Sequence, residues 1–135
     1  MSDAPPLLPK LGPRQVDQPL KLYQACYSLT MWTVEWHPDA QAELMQLPLQ
    51  EQLALDHAAD KLAALGPTLP FPHQSAVRGV TGLRELRPRA GRSQWRALYR
   101  RRGDRFIIAA VAPEAEDNQR GFDQAVRWAQ QRLEG

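Results

Sequence analysis

Apolar positions recur along the chain with two periods, and the changes between them place the elements. In "WTVEWH" Trp32, Val34 and Trp36 alternate with Thr33, Glu35 and His37, which predicts a half-buried strand. "HPDAQAEL" changes the rhythm. Pro38 suits a first helical position and Asp39 the positive end of a helix. Pro48 interrupts the pattern after Leu44 and Leu47, so two helices or a kink follow. The second helix, from about 50 to 65, gathers Leu55, Ala58, Leu62 and Leu65 on one face and stops at Gly66-Pro67. "GPTLPFPHQSAVRGVTG" carries Pro67, Pro70 and Pro72 with three glycines and reads as an ordered loop.

Three strands come next, at about 83–88, 94–102 and 105–112. Pro88 to Ser93 and a tight Gly103-Asp104 turn link them into an antiparallel meander. "RFIIAAVA" is nearly all apolar, which marks a strand that is central or covered on both faces. Finally Phe122, Val126, Ala129 and Leu133 share one face of a closing helix in which Gly121 is tolerable. The predicted order is β-α-α-β-β-β-α. It is an α+β domain with helices on one face of a mainly antiparallel sheet.

Residues 1 to 30 hold Pro5, Pro6, Pro9, Pro13 and Pro19 without either period and are expected to be a flexible tail ahead of a domain at 31–135. Met31 is a candidate translation start; the alternative is a genuine extension that docks. A single cysteine, Cys26, excludes an internal disulfide and a cysteine metal site, in keeping with the cytoplasm. No basic-then-apolar leader is seen, and no stretch approaches the roughly 18 apolar residues of a membrane helix.

Charge changes the picture more than composition does. The net charge is only +2, yet from Arg78 to Arg105 ten arginines stand against Glu85 and Asp104, a net of +8. From Trp32 to Gly66 Lys61 stands against six carboxylates, a net of −5. Such asymmetry points to an anionic partner for the basic half, beside the plainer reading of a solvated surface. Strand alternation puts Trp95, Ala97 and Tyr99 on one face of 94–102 and Arg96 and Arg100 on the other. With Glu85 and Arg87 from 83–88, these form an open face of arginines and a carboxylate. The planar, permanently charged guanidinium fork binds phosphate bidentately and stabilises charge building on phosphorus. Arg89, Arg92, Arg101 and Arg105 fall on turns, where they would grip an RNA backbone, with Arg84 at the rim and Arg100 on the face.

Each assignment has a structural counterpart. Glu85 pairs with an arginine or acts as a base, Arg87 pairs with Glu85 or holds phosphate, and Tyr99 is core or acid. His73, in the loop beside the basic face, is a candidate proton carrier. Histidine spacing and the absence of a Gly-rich loop point to no metal and no cofactor.

"VEWHPDAQAEL", "LGPTLPFPHQSAVRG", "GLRELRPRAGRSQWRALYRR" and "RFIIAAV" together resemble the RelE/HigB-type toxins of type II toxin–antitoxin systems, in particular the phage-derived HigB-like branch. The "LRELRP…WRALY" pair is the most specific part. The resemblance implies a RelE-like α+β fold and a ribosome-dependent endoribonuclease that cuts mRNA in the A site. It also implies a cytoplasmic setting and a cognate antitoxin. Arg96 matches the arginine used at the scissile phosphate, and Arg87, Glu85, Tyr99 and His73 complete the candidate catalytic set. The route would be attack by the ribose 2′-hydroxyl on its own phosphate. The chain departs from the family after the last strand. There "APEAED" puts Glu114, Glu116 and Asp117 where relatives carry basic residues, so the alternative is a non-catalytic or ParE-like protein-binding toxin on the same fold.

Overall fold

The computed structural model describes residues 32–134. The tail at 1–30, the candidate start Met31 and Cys26 lie outside them. Strands β1 (Thr33–Trp36), β2 (Gln74–Ala76), β3 (Leu83–Leu86), β4 (Trp95–Arg102) and β5 (Arg105–Pro113) form one sheet in the order β1-β5-β4-β3-β2. Only the β1–β5 pairing is parallel. The helices are α1 (Pro38–Leu44), α2 (Leu49–Leu65) and α3 (Gln119–Glu134). The α+β class with a mainly antiparallel sheet is as the sequence predicts, and Pro48 separates two helices rather than kinking one.

Local chemistry explains the element ends. His37 caps α1, its Nδ1 accepting from the Asp39 N–H at 3.1 Å ahead of Pro38. Gly66 ends α2 at φ +57°, and a Cβ there would stand 2.3 Å from Nε1 of Trp32, whose indole lies flat against the turn. Asn118 caps α3 through its Oδ1 on the Gly121 N–H. A Cβ on Gly121 would meet Pro113 at 2.8 Å, so the glycine permits the helix to start close against β5 and is more than tolerable.

Three expectations are corrected. β2 lies inside the segment read as loop; its three residues are held by antiparallel pairing to β3, Ser75 opposite Glu85. The helices do not share one face. Leu86, Ala97, Tyr99, Phe106 and Ile108 pack beneath α1 and α2. Leu83, Leu98, Ala110 and Ala112 pack on the other side against Phe122, Ala125 and Ala129 of α3. The face read as open is thus partly roofed by α3. Leu65, placed with the buried face of α2, is 45% exposed because the chain turns away at Gly66.

A bulge adjusts the centre: Leu98 faces Ala110 but Tyr99 faces Ile108, leaving Ala109 as the extra residue. Beyond β1, the upper edge of β5 is closed by side chains. The Glu43 carboxylate accepts from the Val111 N–H at 3.0 Å, and Arg132 of α3 donates to the Ala109 carbonyl at 2.8 Å. The two side chains pair with each other at 2.7 Å, so an otherwise open strand edge is covered.

Candidate active-site cleft

A cleft of about 610 Å³ opens between β2 and β3 on one side and the β5–α3 link with the start of α3 on the other. Its floor comes from register. Ser75 faces Glu85 across β2–β3, and Arg96 faces Ala112 across β4–β5, two residues before Glu114.

Arg96 is 3% exposed, and every nitrogen of its guanidinium is used. Nε meets Glu85 Oε1 at 3.2 Å and one terminal nitrogen meets Glu114 Oε2 at 3.0 Å. The other donates to the carbonyls of Ser93 at 2.6 Å and Trp95 at 2.9 Å. A buried cation requires such pairing. Burial, and then the charge of Arg87, lower its proton affinity, while Glu85 and Glu114 oppose the shift. The expectation that Arg96 offers a free fork to phosphate is corrected: it is an anchor that fixes two carboxylates. The Glu85 carboxylate also accepts from the Ser75 hydroxyl at 3.1 Å, so both its oxygens are oriented.

Arg87 is the contrasting case. Among the described residues its Nε is buried without a hydrogen-bond partner. Its guanidinium lies 5.4 Å from the Phe71 ring centroid, and a Cβ on Gly91 would stand 3.1 Å from it. It stacks on Phe71 rather than pairing with Glu85. Arg78 also lines the cleft, so three guanidinium groups face Glu85, Glu114, Glu116 and Asp123. The acidic segment singled out in the sequence reaches the site.

The remaining candidates are dispersed. Tyr99 is 2% exposed on the opposite face, edge-on to Phe106 at 5.6 Å, and burial raises its pKa. It cannot share a phosphate with Arg96. Arg84 lies on Tyr99's side and donates to Gln74 at 2.7 Å. His73 lies outside the cleft, beyond Arg87. Arg89 grips Glu51 at 3.0 Å and Arg105 grips Glu35 at 2.8 Å. Arg92 donates to the Arg89 carbonyl, Arg100 to Thr81 and Arg101 to Gly103, where it stacks 4.8 Å over Trp32. Sequence reasoning missed Ser75 and Phe71 and did not foresee Glu114 as a ligand of Arg96. A Pro-flanked aromatic beside a histidine is the only signal Phe71 gives. Among the described residues no group of three or more His, Cys, Asp or Glu is arranged to hold a metal ion, and no helix is long and apolar enough to cross a membrane.

Residues 42–134 match the family described as phage derived protein Gp49-like. Among solved structures, a double mutant of the Escherichia coli toxin RelE in the free state superposes with a TM-score of 0.53 at 15% identity. It covers 72% of this chain and 96% of that one. The RelBE2 toxin–antitoxin complex of Mycobacterium tuberculosis gives 0.49 at 23% identity, covering 62% of this chain and 98% of that one. No curated protein matches.

Proposed function

Since the chain belongs to the phage-derived Gp49-like family and has the RelE fold, we propose that it is the toxin of a type II toxin–antitoxin pair, a metal-free endoribonuclease acting on mRNA at the ribosome. One observation carries the chemistry. A carboxylate oriented by an arginine and a hydroxyl (Glu85 between Arg96 and Ser75) stands in a cleft beside the Arg87 guanidinium, which pairs with no carboxylate among the described residues. Metal-free cleavage needs a base and a charge clamp. Glu85 takes the proton of the ribose 2′-hydroxyl, whose oxygen then bonds to phosphorus. Arg87 holds the non-bridging oxygens as charge builds, and the P–O5′ bond breaks. The products are a 2′,3′-cyclic phosphate and a 5′-hydroxyl, the leaving oxygen taking its proton from water. Arg96 is a positioning residue here, not the clamp.

The second reading, a non-catalytic or ParE-like protein-binding toxin, is favoured by the four carboxylates that line the same cleft and repel a polyanion. The nuclease reading stands above it because the Arg87 guanidinium lines the cleft and, unlike that of Arg96, is paired with no carboxylate among the described residues, which leaves its charge for an anion. The cognate antitoxin is expected to be acidic and to cover the arginine-bearing strands. Induced expression with mapping of mRNA cuts tests the choice. Cuts in the wild type that vanish in Arg87→Ala and Glu85→Gln are expected, with thermal unfolding showing both variants folded. Growth arrest with intact mRNA hands the protein to the second reading.

A further inference from the structure

Arg87 lines two cavities, not one. On its far side from the cleft a narrow groove runs between α2 and the 69–73 turn. His57 and Lys61 come from α2, His73 from the turn and Arg89 from the β3–β4 link, over a floor of Leu69 and Leu86. Arg89 is neutralised by Glu51, but among the described residues no carboxylate lines the groove itself. The cleft has four. A polyanion entering the cleft therefore meets its strongest attraction next door. The groove holds about 20 Å³, room for one phosphate oxygen and not for a base. A base has another place at the rim. Phe71 is 69% exposed, an unusual position for a large ring, and it stacks with the Arg87 guanidinium. Exposed rings flanked by cations are the stacking platforms of single-stranded nucleic acid sites.

We propose that this groove is a subsite for single-stranded RNA. It seats the phosphate next to the one in the cleft, while the flanking base stacks on Phe71 and Arg87 bridges the two phosphates. The inference rests on the RNA reading of the cleft and names how the strand continues past it. It also gives His73 a place: it contacts the neighbouring phosphate rather than the reacting one.

The test is fluorescence anisotropy of the full chain with a labelled 2′-O-methyl octauridylate, which cannot be cleaved, across a range of salt. Phe71→Ala should weaken binding about tenfold, the loss of one stacked base. Lys61→Ala should lower the slope of log K against log salt by about 0.7, one single-strand phosphate contact, and Lys61→Arg should restore it. Phe71 is exposed and Lys61 half-buried, and unchanged melting shows that the variants fold. Wild type that binds no better than Phe71→Ala and Lys61→Ala overturns the groove and leaves the cleft reading intact. An octamer that ignores the wild type even at low salt also overturns the groove, whereas the cleft reading, which places the reaction on the ribosome, falls only if induced expression leaves mRNA intact.

Discussion

The Glu43 carboxylate meets the Arg132 guanidinium at 2.7 Å, 89 residues further along the chain, and so joins the helices that cover opposite faces of the sheet. Each also binds the β5 backbone, at Val111 and Ala109. Arg132→Ala removes a charge-assisted bond and leaves Glu43 half-buried without its partner, so it should cost about 2 kcal/mol in urea unfolding. Glu43→Gln keeps an acceptor for Val111 and should cost about 1 kcal/mol. The double variant should be less damaged than the sum. Strict additivity would show that the helices are not coupled through this pair.

Glu114→Gln separates the two roles of the carboxylates on Arg96. Glu85 still anchors the guanidinium, while one negative charge leaves the cleft. Cleavage should rise several-fold, since repulsion of the phosphate falls. Glu85→Gln should lower it by about a hundredfold or more, the usual cost of a lost general base. A single-turnover assay compares them; equal losses in both would show that the two carboxylates serve only the fold.

The Arg89 guanidinium, then the Ser93 hydroxyl, hold the Glu51 carboxyl below its ordinary pKa against a smaller burial penalty. A folded-state pKa below the unfolded one means stability that is fully present above the unfolded value and lost as pH falls through the folded one. The wild type should therefore exceed Glu51→Gln by under about 1 kcal/mol at neutral pH. The gap should close on acidification below the ordinary carboxylate range. A gap that does not change with pH would place the contribution elsewhere.

Two left-handed positions should respond with opposite signs. Gly66→Ala drives a methyl into the Trp32 indole at a φ of +57° and should cost about 2–4 kcal/mol. Ala90 adopts φ +56° with a side chain, so Ala90→Gly relieves strain and should gain about 0.5–1 kcal/mol, net of the extra freedom of the unfolded chain. Thermal melting of both variants checks the pair.

The legible parts of the sequence were those whose signal is local. Alternation in "WTVEWH" and the face of Phe122, Val126, Ala129 and Leu133 marked β1 and α3. β2 escaped because three residues in a Pro-rich run carry no period of their own; pairing with β3 makes them a strand. Helical periodicity says which side of α3 is buried but not against which face of the sheet. The clue lay in β5, whose unbroken apolar run needs cover on both faces, and that requires the helices to divide between them. Alternation also set Arg96 with Glu85 and opposite Tyr99. It could not reveal Glu114, eighteen residues on, which arrives only because the chain leaves β5 on the α3 side.

The parallel partner of β1 is β5, some seventy positions downstream. During synthesis the first strand therefore emerges from the ribosome with no neighbour to hydrogen-bond, and waits until almost the whole polypeptide has been made. The Ser75–Glu85 and Glu85–Arg96 contacts lie upstream, but the far wall of the cleft shares this delay, because Glu114 and α3 come later still. The geometry favours a late, concerted closure over stepwise growth, the slow regime expected where distant segments must find each other. A shortened product ending before residue 105 still carries Ser75, Glu85, Arg87 and Arg96 but lacks β5, Glu114 and α3, and it leaves β1 an unsatisfied apolar strand, which makes it a substrate for quality control rather than a weaker version of the whole.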